Sequence, residues 1–134
     1  MTITCKQLGD AAEHLVLARL MLAGVPTAKM PDNWPGYDLM AEHPTLGQQR
    51  ISVKASRNTT RGGANIEYDS GDRFDWLAIV MLDGAERIYL CSRQDADAIT
   101  DLCKNGRRYV NTLTVDRKFA AFAGVSALAQ TGAG

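Results

Sequence analysis

The sequence predicts a mixed α/β fold with a central sheet flanked by helices, and three stretches carry that prediction. From Lys6 to Ala23, residues Leu8, Ala11, Ala12, Leu15, Ala18, Arg19 and Leu22 mark one side at helical spacing, and Gly24 stops the run. Two short apolar-rich runs, Pro35-Gly36-Tyr37-Asp38-Leu39-Met40-Ala41 and Arg50-Ile51-Ser52-Val53-Lys54-Ala55-Ser56, flank His43-Pro44-Thr45-Leu46-Gly47 and read as strand, turn, strand. Phe74 to Leu82 is a nearly continuous apolar run, as a strand covered on both faces requires, and after the Asp83-Gly84 turn Arg87 to Cys91 returns beside it. The resulting order is α-β-β-β-α-β.

The remaining elements follow in order. Val25 to Met30 is a short first strand, and Pro31-Asp32-Asn33-Trp34-Pro35-Gly36 is a loop that delivers the chain to Asp38. Ser56 to Asn65 is too polar and Gly-rich for a core and reads as a mobile loop; its Gly-Gly lacks the Gly-Lys-Ser/Thr of a phosphate-cradling loop. Ser92 with Asp95 three residues on resembles a capping box; Ala96, Ile99, Leu102 and Cys103 form a helical stripe that Gly106 closes. Tyr109 to Val115 reads as a last strand or extended segment. Asp116 then caps a helix through Phe119, Phe122, Val125 and Leu128, before a frayed Thr131-Gly132-Ala133-Gly134 tail.

At 134 residues the chain suits one domain, 1–134, with its own core. Composition is that of an ordinary globular protein, 46% hydrophobic and 22% charged, without an apolar run long enough to span a bilayer or a signal-peptide pattern at Met1 to Lys6. A cytoplasmic location is the expectation. Cys5, Cys91 and Cys103 are odd in number and show no metal-ligand spacing, so they read as reduced, half-buried thiols. Formal net charge is zero, so a nucleic-acid surface has to be local. Basic residues do cluster: Arg50, Lys54, Arg57 and Arg61 follow one another without an intervening acid, and Lys104, Arg107 and Arg108 form a second group.

Strand alternation sends Ile51 and Val53 into the core and puts Ser52 and Lys54 on the other face, with Asp38 nearby. An acid and a lysine then meet outside one sheet. Glu13 sits among Gly9, Val16, Leu17 and Leu20, and a carboxylate in such company needs a partner, a metal ion or Lys54, unless it reaches water from the helix edge. Asp38 with Lys54 admits a plain surface ion pair as its alternative. His14, His43, Ser56 and Ser92 form no base and nucleophile constellation of a serine hydrolase. Trp34 and Trp76 read as packing rather than as stacking platforms for bases.

Asp38, Ser52 and Lys54 resemble the core motif of the PD-(D/E)XK nuclease superfamily, an Asp followed across a turn by an acid or Gln, any residue, and Lys. Ser52 departs from that pattern. Gly9-Asp10-Ala11-Ala12-Glu13 resembles the first-helix motif of the resolvase-like branch, so the resemblance runs from about Gly9 to about Ser92. It implies a restriction-endonuclease-like fold and divalent-metal-dependent hydrolysis of DNA phosphodiester bonds. Mg²⁺ or Mn²⁺ would be held by Asp38, by Glu13 directly or through water, and by the Val53 carbonyl, with Lys54 orienting the nucleophilic water or balancing charge on the phosphate. Ser in place of a carboxylate removes a charge from the metal site, so Glu13 compensates as a migrated acid or the domain is a degenerate module that binds DNA or a protein. Arg57, Arg61, Lys104, Arg107 and Arg108 are candidate phosphate contacts or else solvated surface. A homodimer is expected, because cutting both strands calls for two sites.

Overall fold

Thr4 starts the first helix by accepting the Gln7 amide on its side chain while the Gln7 side chain accepts the Thr4 amide, a reciprocal cap the sequence reading did not use. A computed structural model of the chain describes residues 2–57, 59 and 61–129, so the predicted frayed tail and two positions of the predicted mobile loop lie outside the described residues. Helix α1, Cys5–Leu22, turns its fully buried Ala12, Val16 and Leu20 to a sheet. Burying Val16 and Leu20 contributes roughly 1.5–3 kcal/mol each, and the smaller Ala12 less.

That sheet has five strands in the order β1-β2-β3-β5-β6. They are β1 Thr27–Lys29, β2 Leu39–His43, β3 Gly47–Ser56, β5 Trp76–Met81 and β6 Arg87–Ser92. β2 and β3 form the expected hairpin, with Leu39 opposite Ile51 and His43 opposite Gly47. The Thr45 and Leu46 amides both donate to His43 Nδ1, which builds the turn and leaves that nitrogen unprotonated. β5 and β6 form the second expected hairpin, while β3 and β5 run parallel. The sheet is therefore mixed, as the sequence predicts.

One face of the sheet carries Leu39, Ile51, Ala78, Val80 and Leu90 against α1 and Leu128. The other carries Leu77, Ile79, Met81 and Cys91 against a second layer, in which β4 Asn65–Asp69, β8 Arg107–Asn111 and β7 Asp101–Leu102 form a three-stranded sheet. Cys91 is buried there, its thiol pushed up to about 12 by burial, whereas Cys5 is exposed, so the cysteines are not uniformly half-buried.

Three elements depart from expectation. β4, Asn65–Asp69, begins at the last residue of the expected loop and continues through residues to which the sequence reading assigns no element. Helix α2, Arg93–Ile99, begins at the Ser92 cap as expected but stops at Thr100, and Leu102 lies 59% exposed in β7. Gly106 turns β7 into β8 rather than closing a helix. The C-terminal segment is broken into α3, Val115–Lys118, a 3-10 turn at Ala120–Phe122, and α4, Ser126–Ala129.

Candidate functional site

Asp38 is the last residue before β2, at the point where β2 and β3 part. Three hydrogen bonds fix it: its amide donates to the Ile51 carbonyl at 2.8 Å, its carbonyl accepts the Met30 amide at 2.9 Å, and its Oδ2 accepts the Val53 amide at 2.8 Å. Gly36, two residues earlier, has φ of 90° with the Arg73 backbone 3.6 Å from where a Cβ would lie, so the approach to Asp38 favours glycine. The backbone direction of β3 follows from its partners. The carbonyls of Arg50 and Ser56 accept amides of Asp75 and Leu82 on the β5 side, so the alternate residues Ile51 and Val53 present theirs to the β2 side. Val53 is past the last β2 pair, and its carbonyl lies on the same edge as the Asp38 carboxylate.

Glu13 comes to this edge from α1. It lines one depression, of about 300 Å³, with Asp38, Lys29, Asp10, Lys6 and Asp32. Its partner is Lys29 of β1, at 3.3 Å, both side chains being largely covered at 17% and 23% exposure. Sequence reasoning offered Lys54 or a metal ion for this role and missed Lys29, because a lysine in a three-residue strand carries no pattern of its own. Lys29 also reaches Asp32 at 3.6 Å, Asp32 meets Lys6 at 3.5 Å, and Lys6 meets Asp10 at 3.2 Å, so charges alternate around the rim. Burial and then the negative charge of Asp38 push the Glu13 carboxyl above the ordinary carboxylate value, against the pull of Lys29.

Lys54 lies in a second depression with Asp38, Ser52, Tyr37, Trp34, Gly36 and Asp72. Asp38 is thus common to both, with Glu13 lining the first and Lys54 the second. Among the described residues Lys54 has no ion-pair partner, so a plain Asp38–Lys54 salt bridge is not formed. Ser52 is on the Lys54 face as expected, yet it is only 4% exposed because the second layer covers that face. No group of three or more His, Cys, Asp or Glu side chains able to hold a metal occurs among the described residues.

The basic groups divide. Arg57, Arg61 and Lys104 have no ion-pair partner among the described residues. Arg107 lies 4.0 Å from Glu67, and Arg108 donates to the carbonyls of Asp97 and Thr100 while facing the Asp97 carboxylate at 3.6 Å, so Arg108 is spent on closing α2. Arg50 is likewise engaged, its guanidinium and amide all donating to Asp75. Trp76 is buried and donates to Gln49, as a packing residue does, but Trp34 is 47% exposed and lines both depressions.

The fold superposes on that of Hjc, a Holliday junction resolvase from the archaeal hyperthermophile Archaeoglobus fulgidus, over 90% of this chain and 94% of that one, with a TM-score of 0.62 and 12% identity. A bacterial homing endonuclease aligns over 67% of this chain and 70% of its own, with a TM-score of 0.56 and 19% identity. At these identities the likeness concerns the fold: the chain has a nuclease fold. No family model and no curated relative matches the sequence. No helix among the described residues is long and apolar enough to cross a membrane.

Proposed function

We propose that the chain is a divalent-metal-dependent DNA endonuclease centred on Asp38. The observation that carries this reading is the fixed position of Asp38 at the fork of β2 and β3, its carboxylate oriented by the Val53 amide and shared between the Glu13 and Lys54 depressions. The available donors, the Asp38 and Glu13 carboxylates and the Val53 carbonyl, are all hard oxygens, which fits Mg²⁺ or Mn²⁺ with water filling the other positions. Bound there, such an ion would polarise a phosphodiester and lower the pKa of an attacking water. The chain's own part is to orient. Asp38 fixes the donor geometry, Lys54 offers an ammonium to a phosphate oxygen or to the water, and Glu13 contributes once Lys29 yields it.

Ser52 leaves the donor set one charge short, and Lys29 already neutralises Glu13, so weak metal binding is part of the proposal. The same facts favour a second reading, a degenerate module that binds DNA or a protein without cutting. A homodimer that brings two such sites to the two strands, in the cytoplasm, completes the first. Supercoiled-plasmid nicking in Mg²⁺ and Mn²⁺ tests it: Asp38→Ala and Lys54→Ala should each lower the rate about 100-fold or more, and Mn²⁺ should outperform Mg²⁺. Ser52→Glu should tighten Mn²⁺ binding, although at a covered position its carboxylate must share space with Asp38 and Asp72. Nicking indifferent to Asp38 and Lys54 would reject this site; intact DNA binding without nicking would favour the module.

A further inference from the structure

Trp34 is the feature that the proposed chemistry leaves unused. Its loop places a large aromatic ring in solvent where a protein core would normally claim it, 47% exposed. The ring is braced rather than free: Tyr37 meets it edge-on, with centroids 6.2 Å apart and planes at 73°. It also borders a third and larger depression, formed with Pro35, Gly36, Tyr37, Arg50 and Arg73, among others. That depression shares the wall residues Trp34, Gly36, Tyr37 and Asp72 with the one containing Asp38 and Lys54, so the two are adjacent. Arg73 is exposed and has no ion-pair partner among the described residues. The Asp72 carboxylate between them accepts the Asp69 amide at 3.0 Å and belongs to its own turn.

We propose that the depression walled by Trp34 and Tyr37 is a stacking subsite for one unpaired nucleobase, next to the phosphodiester held at Asp38 and Lys54. A base inside an uninterrupted duplex already has both faces covered by its neighbours and cannot reach the indole. A base in a gap, a bulge or a single-stranded segment can, since every base has a π-face to offer. Arg73 on the far side and Lys54 on the near side then stand where the phosphates flanking that base would pass. The inference rests on the nuclease-fold site as a DNA site, and it names the DNA it prefers: DNA with an unpaired base rather than a perfect duplex.

Fluorescence anisotropy with EDTA present, so that nothing is cut, separates the possibilities. Two labelled duplexes are compared, one fully paired and one of the same sequence carrying a single extrahelical thymine. Wild type should bind the second about tenfold more tightly. Trp34→Ala should erase that preference while leaving affinity for the paired duplex unchanged, and Trp34→Phe should keep most of it. Trp34 is exposed, so neither variant should unfold; thermal melts matching wild type verify this. Binding of both DNAs with equal affinity, a preference that survives Trp34→Ala, or no binding to either would overturn the inference. The nuclease reading fails independently: a Trp34-dependent preference without nicking keeps the subsite and removes the enzyme, whereas Asp38-dependent nicking without preference does the reverse.

Discussion

Asp75 sets the register on which the site depends. It lies just ahead of β5 and takes the Arg50 amide at 2.8 Å and the guanidinium at 3.1 Å, while its own amide donates to the Arg50 carbonyl. Those bonds hold β3 and β5 in phase, and with them the Val53 amide that orients Asp38. Burial acts to raise the Asp75 carboxyl, but the Arg50 hydrogen bonds prevail and hold it below the ordinary 3.8. A depressed carboxyl binds fewer protons in the folded than in the unfolded state at acidic pH. Its stabilisation is therefore present above the unfolded value and lost as pH falls through the folded one. Asp75→Asn should cost about 1.5 kcal/mol at pH 7, the low end for charged hydrogen bonds because the pair is about one-third exposed. Urea titrations at pH 7 and pH 3 check this: the gap to wild type should shrink at pH 3, and a gap independent of pH would mean that the carboxylate charge is not what holds the strands.

Arg93 does for the second layer what Asp75 does for the first. Its guanidinium stacks over Phe74 at 4.2 Å and Tyr68 at 5.2 Å, donates to the carbonyls of Asp72 and Ser70, and pairs with Asp97 at 3.3 Å. It thereby ties α2 to the turn after β4. Arg93→Met keeps the apolar stem but loses the charge and the bonds, and should destabilise by roughly 2–4 kcal/mol in chemical denaturation; a loss below 0.5 kcal/mol would contradict this role. Such joints mark where the sequence was legible and where it was not. The α1 span, both hairpins of the large sheet and the Asp38, Ser52 and Lys54 placement rest on local periodicity, and local periodicity is readable. The α1 stripe itself is misplaced, since Leu22 is 85% exposed while Ala12, Val16 and Leu20 face the core, because a helix apolar on two flanks does not announce which one packs. β4 shows the alternation Asn65, Ile66, Glu67, Tyr68, Asp69, but its partner β8 is distant in sequence and nothing local announces the pairing. The apolar stripe of α2 runs on to Leu102, yet Arg108 collects the carbonyls of Asp97 and Thr100 and ends the helix. Phe119 and Leu128 look like one helical face, but they pack on opposite faces of the large sheet, and one straight helix cannot serve both. Glu13 was visible as a carboxylate in need of a partner, while its partner Lys29 depends on how β1 meets α1.

Across the whole molecule the charges cancel, with 15 basic and 15 acidic residues, so long-range attraction to DNA is weak and contact depends on where unpaired cations lie. The sequence groups Arg57, Arg61, Lys104, Arg107 and Arg108 together as phosphate contacts, but the fold gives them different duties. Arg57 and Arg61 follow the Lys54 strand and are free of ion pairs among the described residues, whereas Arg108 is committed to the end of α2. Each phosphate contact releases about one counterion, so the log-log slope of affinity against salt counts contacts. Arg57→Ala/Arg61→Ala should flatten that slope by about two units in an anisotropy titration, with little change in stability. Arg108→Ala should leave the slope nearly unchanged and lower stability instead, because its loss strands the carbonyls of Asp97 and Thr100. A slope that responds to Arg108 and not to Arg57 and Arg61 would move the DNA path away from the Asp38 fork and onto the second layer, and with it would fall the assignment of Lys54 to a phosphate.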